Sequence, residues 1–194
     1  MDLWCVIKRI KDINGSIIIM YTVSIDVGTK NLAYVIFNRD LRISKWEVVD
    51  ISKKTTGGLI AYLQSLFVNE TYNAETIDTV LIEKQPNRNV KMRVVENTLT
   101  IFFHMSGMRK VLNYSAKNKL GELGKTIKGV KNYSLRKKYG IYMCSSFLKS
   151  KDPEQLSLFE SHKKKDDLAD CLLQGVSYVD ANLIGELSKC ILVI

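Results

Sequence analysis

The chain has 194 residues, of which 46% are hydrophobic, 25% charged and only 2 are proline, a make-up that suits one folded domain and excludes a collagen, a disordered tail or a string of domains. The four cysteines (Cys5, Cys144, Cys171 and Cys190) are too dispersed for a disulfide framework or a zinc ribbon, and no apolar run nears the roughly 20 residues of a membrane span; a soluble protein of a reducing compartment is expected. The net charge is +9, and the stretch from Lys117 to Lys165, with 13 Lys or Arg against 4 acids, carries all of it, which points to a surface that meets a polyanion, most often nucleic acid.

Residues 1–19 read as an N-terminal extension of unclear role, with an apolar burst from Ile17 to Ile19. Asp12, Asn14 and Gly15 interrupt any secretory apolar core. An extra strand, a targeting piece and a segment ahead of a start at Met20 all fit. Residues 20–194 are then the single folded domain.

Tyr21 to Val27 reads as a buried strand, Leu32 to Asn38 as a second and Leu41 to Ile51 as a third, joined by short turns into an antiparallel meander. Leu59, Ile60, Leu63, Leu66 and Phe67 recur at helical spacing, and Ile77 to Glu83 returns to strand. Pro86 stops that strand. Val90 to Met105 then carries Met92, Val95, Leu99, Phe102 and Phe103 on one helical stripe. Arg109 to Ser115 is a fifth strand, and Ala116 to Asn132, lysine-rich and holding three glycines, reads as a mobile loop. Helices follow at Tyr133 to Lys149 and from Asp166 to about Leu187, with the polar Pro153 to Lys165 between them. The order is that of an α/β protein with a ribonuclease H-like five-stranded mixed sheet and helices on both faces. Doubly wound nucleotide-binding folds stay open.

Four carboxylates fall at element ends that this arrangement turns toward one sheet edge. Asp26 lies in an otherwise apolar strand and needs a counter-charge; Glu83 ends the fourth strand; Asp167 and Asp170 share one face of the last helix, three residues apart. Gly175 would let that helix approach the sheet closely. Each acid taken singly has a structural explanation, as a turn cap, a solvated strand end or a first-turn helix residue. Jointly they would repel one another unless divalent cations lay between them, and an all-oxygen donor set favours Mg2+, with Mn2+ able to substitute. Two such ions about 4 Å apart would clamp the attacking and leaving oxygens of a phosphodiester hydrolysis.

Three segments, Ser24-Ile-Asp26-Val-Gly28-Thr-Lys-Asn31, Leu81-Ile-Glu83-Lys-Gln85-Pro86-Asn-Arg88 and Lys164-Lys-Asp-Asp167-Leu-Ala-Asp170, resemble the RuvC-type Holliday-junction resolvases, and more narrowly the branch of poxviruses, related large DNA viruses and fungal mitochondria. The resemblance implies a magnesium-dependent homodimer that makes paired symmetrical nicks in a four-way DNA junction. It maps the metal-binding acids onto Asp26, Glu83, Asp167 and Asp170, and a basic catalytic helper onto Lys138 or, nearly as well, Lys137. Viral replication sites are the expected location for a viral enzyme, and mitochondria for a fungal one.

Lys30, Lys84, Arg88, Lys117, Lys119, Lys131, Arg136, Lys163, Lys164 and Lys165 are the candidate DNA contacts. The helix from Val90 to Met105 is the candidate dimer surface, because its apolar residues exceed one face; a plain core helix would give the same pattern. Two other functions compete. Asp26-Val-Gly-Thr29-Lys-Asn31 also resembles the first phosphate loop of actin-like and sugar-kinase-like ATPases, but no second glycine-rich phosphate loop follows. A non-catalytic nucleic-acid binder would use the basic surface with Tyr133, Tyr139 and Tyr142 for stacking, and would leave the acids without a role.

Overall fold

The computed structural model describes residues 10–11, 17–119, 133–180 and 184. Two short strands, β1 (Ile10–Lys11) and β2 (Ile17–Ile18), pair antiparallel within the N-terminal extension. The main sheet follows. It contains β3 (Tyr21–Asp26), β4 (Asn31–Asn38), β5 (Ile43–Asp50), β6 (Ile77–Glu83) and β7 (Val111–Tyr114), in the order β5-β4-β3-β6-β7. β3, β4 and β5 form the antiparallel meander, whereas β6 lies parallel to β3 and β7 parallel to β6. This is the ribonuclease H-like sheet expected from element order.

Strand alternation divides the core in two. Val23, Ile25, Tyr34, Ile36, Val80 and Ile82 face α1 (Thr56–Phe67) and α2 (Val90–Met105). Ala33, Val35 and Phe37 face α3 (Tyr133–Lys151), α4 (Leu156–Ser161) and α5 (Lys165–Val179). Helix starts follow local chemistry: the Thr55 side chain accepts from the Gly58 amide ahead of α1, and Asn89 accepts from Met92 ahead of α2.

The structure corrects three local readings. The segment between α3 and α5 is not merely a polar connection, because α4 places Phe159 in the core, stacked on Trp46 at 5.4 Å between ring centroids. One aromatic in a polar run leaves no periodicity to detect. The start of the expected mobile loop is ordered, with a 3-10 turn at Ala116–Asn118 and a buried Lys119; the rest of that loop lies outside the described residues, while the helix expected to run to about Leu187 ends at Val179, where Asp180 leaves the helical conformation, and of the residues beyond Asp180 only Ile184 is described. Phe102 and Phe103 belong to the core, edge-on to each other and, for Phe103, to Phe67. The opposite side of α2 exposes Val90, Val94, Ile101 and Met105 instead, so the helix has two apolar faces.

The close seating of α5 against β3 and β4 depends on Gly175. A Cβ there would lie 2.5 Å from Phe37 Cε1 and 3.0 Å from Ser24 Cβ, and both neighbours are themselves buried. Alanine in a helix gains at most about 1 kcal/mol over glycine, whereas overpacking a core costs about 1–3 kcal/mol. Gly175→Ala is therefore expected to destabilise the protein by about 1 kcal/mol or more in urea unfolding. An unchanged or raised midpoint would show that α5 can lift without cost.

Candidate active site

Parity and direction bring the acids together. Asp26 pairs with Ala33 across β3 and β4, and Ser24 pairs with Leu81 across β3 and β6, so Asp26 and Glu83 project on the α5 side of the sheet. β3, β6 and β7 run parallel and end at one edge. The N-terminal half of α5 lies over that edge: Asn31 Nδ2, at the start of β4, donates to Asp167 Oδ2 at 3.3 Å. Further along α5, the buried Gln174 donates to Ser24 Oγ at 3.2 Å and to the Ile25 carbonyl at 3.1 Å. The Trp46 indole on β5 donates to the Leu168 carbonyl at 3.2 Å. The height and rotation of α5, and hence of Asp167 and Asp170, are fixed by these contacts.

The counter-charge that Asp26 requires is Lys119. Its Nζ lies 2.7 Å from Asp26 Oδ1, 3.1 Å from Glu83 Oε1 and 3.8 Å from Asp170 Oδ2. Its side chain is 6% exposed. Burial acts to lower the lysine pKa, but Asp26, Asp170 and Glu83 overcome that and raise it, so the ammonium stays charged. Burial likewise pushes the Glu83 carboxyl up to about 7, against the pull of Lys119. Crowding by the protein pushes the Asp170 carboxyl to about 6, even though 45% of its side chain remains exposed. Asp167 is raised as well, by burial and by Asp166 and Asp26.

These groups fit a divalent cation in donor type and charge. Their oxygens already converge on one positive atom, and three of them belong to separate elements. As placed, however, the described residues contain no group of three ligating side chains drawn in to metal distance, because the ammonium of Lys119 stands where the carboxylates meet.

The other basic candidates divide by position. Lys137 pairs with Asp166 at the start of α5 and is close enough to Asp170 to lower that carboxyl's pKa. Lys138, the next residue, is exposed, as is Arg136. Lys30, Lys84, Arg88, Lys117, Lys163 and Lys164 are exposed, and Lys165 is half-buried. Connectivity places these seven at the same end of the sheet as the acids, after β3, β6 and β7 or before α5. Lys131 lies outside the described residues. Lys119, expected among the DNA contacts, is instead buried within the carboxylate cluster. Its signal in the sequence was its place five residues past the end of β7, the parallel neighbour of the strand carrying Glu83. Gln85, 4% exposed, is the other member missed: its Nε2 donates to Glu83 Oε2 at 2.9 Å.

A family model described as Poxvirus A22 protein matches residues 18–182. Among solved structures, the chain is similar to the fowlpox virus resolvase, whose structure holds Holliday junction DNA, with 24% identity, a TM-score of 0.62 and coverage of 84% of this chain and 99% of that one. It is also similar to Thermus thermophilus RuvC bound to a Holliday junction substrate, with 16% identity, a TM-score of 0.52 and coverage of 84% and 96%. An uncharacterised protein of Acanthamoeba polyphaga mimivirus is 34% identical over 122 residues. That match covers 54% of this chain and spans only 29% of the mimivirus protein's length.

The raised Glu83 carboxyl gives stability a definite pH dependence. Between its ordinary 4.5 and about 7 the folded state holds a proton that the unfolded state has lost, so the contribution of Glu83 to stability is greatest below this window and falls as pH rises through it. In chelator, the melting temperature is expected to drop between about pH 5 and pH 7. Glu83→Gln should remove much of that slope, worth about 3 kcal/mol at most. A variant with the wild-type slope would show that Glu83 titrates normally.

Proposed function

The chain belongs to the poxvirus A22 protein family, and from that premise we propose that it is a divalent-metal-dependent endonuclease that resolves four-way DNA junctions by paired nicks. The observation that carries this reading is the convergence of Asp26, Glu83 and Asp170, from two strands and a helix, on a single cationic centre at the basic edge of a ribonuclease H-like sheet. A non-catalytic binder has no use for such a cluster, which would repel phosphate. The ATPase reading lacks a second phosphate loop, and among the described residues the structure adds none.

Asp26, Glu83, Asp167 and Asp170 are the residues that would hold Mg2+, as one ion or as a pair, which when bound supplies an activated water and charge neutralisation at the departing 3′ oxygen. The chain's own residues do the rest. Asn31 and Gln85 orient Asp167 and Glu83 by donating to one carboxylate oxygen of each, at 3.3 and 2.9 Å. Lys119, whose ammonium lies among these carboxylates, would yield that place to a bound cation and could then donate to a phosphate oxygen brought to the cluster and offset charge developing there. Lys30, Lys84, Arg88, Lys117, Lys163, Lys164 and Lys165 border the site and would neutralise the backbone phosphates of the arms, which makes binding salt-sensitive.

Paired nicks need two sites, and the outer face of α2 fits a second copy of the chain. Val90, Val94, Ile101 and Met105 are 52–84% exposed and fall within one narrow stripe at helical spacing, opposite the buried Leu99.

The test is a cleavage assay on labelled four-way, Y-shaped and linear DNA with Mg2+. Amide variants of Asp26, Glu83, Asp167 and Asp170 are expected to lose cleavage by at least 100-fold while binding the junction as well as or better than wild type. Lys119→Met should lose cleavage by a similar factor, about 100-fold, as one electrostatic donor is worth. Two amide variants cutting at the wild-type rate would overturn the assignment. Separately, Val94→Glu with Ile101→Glu is expected to sediment as a folded monomer that nicks one strand without pairing the cuts. A dimer that survives both changes would move the interface elsewhere.

A further inference from the structure

Glu96 is the most anomalous charge in the described chain. It sits on the core side of α2 between Val95 and Leu99 and has no exposed surface, where acidic residues essentially never lie unless paired. Taking a carboxylate out of water costs several kcal/mol, and an apolar residue of similar size would complete the packed face of the helix. The compensation is one-sided. Glu96 Oε2 accepts from the Gln85 backbone amide at 3.1 Å and from Arg93 Nη1 at 3.3 Å, while Oε1 has no hydrogen-bond partner in the structure. Apart from the ion pair with Arg93 on its own helix, the one group that the Glu96 carboxylate binds is the backbone amide of Gln85, two residues past Glu83.

Gln85 extends this contact. Its buried side chain donates to the Glu83 carbonyl at 3.2 Å and to Glu83 Oε2 at 2.9 Å. One carboxylate oxygen of Glu83 is thus occupied from behind, and the other, Oε1, faces Lys119 at 3.1 Å. The ladder holds the backbone as far as Glu83, which lies opposite Tyr114, and Lys84, whose amide donates to the Tyr114 carbonyl at 2.8 Å, but it does not hold the Glu83 side chain, which without Gln85 would sample several rotamers.

We propose that Glu96 and Gln85 are positioning residues that act in sequence: Glu96 fixes the backbone at Gln85, and Gln85 fixes which oxygen of Glu83 is presented to the cation site. Neither touches substrate. The inference rests on the resolvase reading for the identity of the cation, and groups of this kind behind a metal ligand alter metal affinity by about 10–100-fold when removed.

The experiment measures Mn2+ binding by calorimetry on the full chain without DNA, alongside thermal unfolding in chelator and steady-state cleavage with Mg2+. Gln85→Met removes only the side-chain donor; it is expected to bind Mn2+ about 10-fold more weakly, with an unchanged melting temperature and a fall in kcat at unchanged KM for the junction. Glu96→Leu should show the same loss of Mn2+ affinity, and Glu96→Gln, which keeps an acceptor for the Gln85 amide, should restore it to within about twofold of wild type. Should Glu96→Leu fail to fold, Gln85→Met decides alone. Wild-type Mn2+ affinity in Gln85→Met overturns the proposal, as does a Glu96→Gln variant no better than Glu96→Leu. A wild type that holds no Mn2+ and cuts no junction overturns the resolvase reading and the relay with it, whereas variants matching a metal-binding wild type overturn the relay only.

Discussion

Carboxylates drawn from β3, β6 and α5 cannot share one partly buried sheet edge without positive charge between them. In the structure that charge is the Lys119 ammonium, 2.7 Å from Asp26 and 3.1 Å from Glu83. Removing one partner from such a group costs about 3–5 kcal/mol, because the remaining charges are left uncompensated. The segment after β7 is therefore bound to the sheet edge by electrostatics more than by apolar packing. The same attraction that would hold a hard cation holds the chain's own lysine.

Much of this was legible from residue order. Three consecutive strand-like runs joined by short turns, a helical stripe and a fourth apolar run define the sheet, and Asp26 and Glu83 fall on one face because each lies an even number of residues from a neighbour on the α5 side. Asp167 and Asp170 follow from helical spacing, and Gly175 marks where the helix meets the sheet. The lysine was harder. A count of basic residues treats every lysine as surface, and nothing local distinguishes Lys119 from Lys117; which of them turns inward is settled by how the chain re-enters the edge after β7, a tertiary matter. Glu96 left a fainter trace. It lies on the buried stripe of α2 beside Leu99 and Phe103, and a charge in that stripe was the sign of a partner across the interface between helix and strand.

α2 joins two demands on one element. Its inner face supplies Leu99, Phe102 and Phe103 to the core and Glu96 to the strand end, while its outer face carries the exposed stripe from Val90 to Met105. A helix with this division has little freedom to rotate or slide, since any shift that improves one face disturbs the other. The acidic edge is thereby supported on both sides of the sheet, by α2 through Gln85 and by α5 through Gln174.

Trp46, on β5, packs against α4 and α5, its indole nitrogen within 3.2 Å of the Leu168 carbonyl and 3.3 Å of Cys171 Sγ, its rings stacked on Phe159. The ring thus touches the backbone of the residue next to Asp167. In a variant whose other tryptophan, Trp4, is replaced by phenylalanine, its ultraviolet emission would be a built-in optical gauge of how α5 is seated, readable in solution without any label.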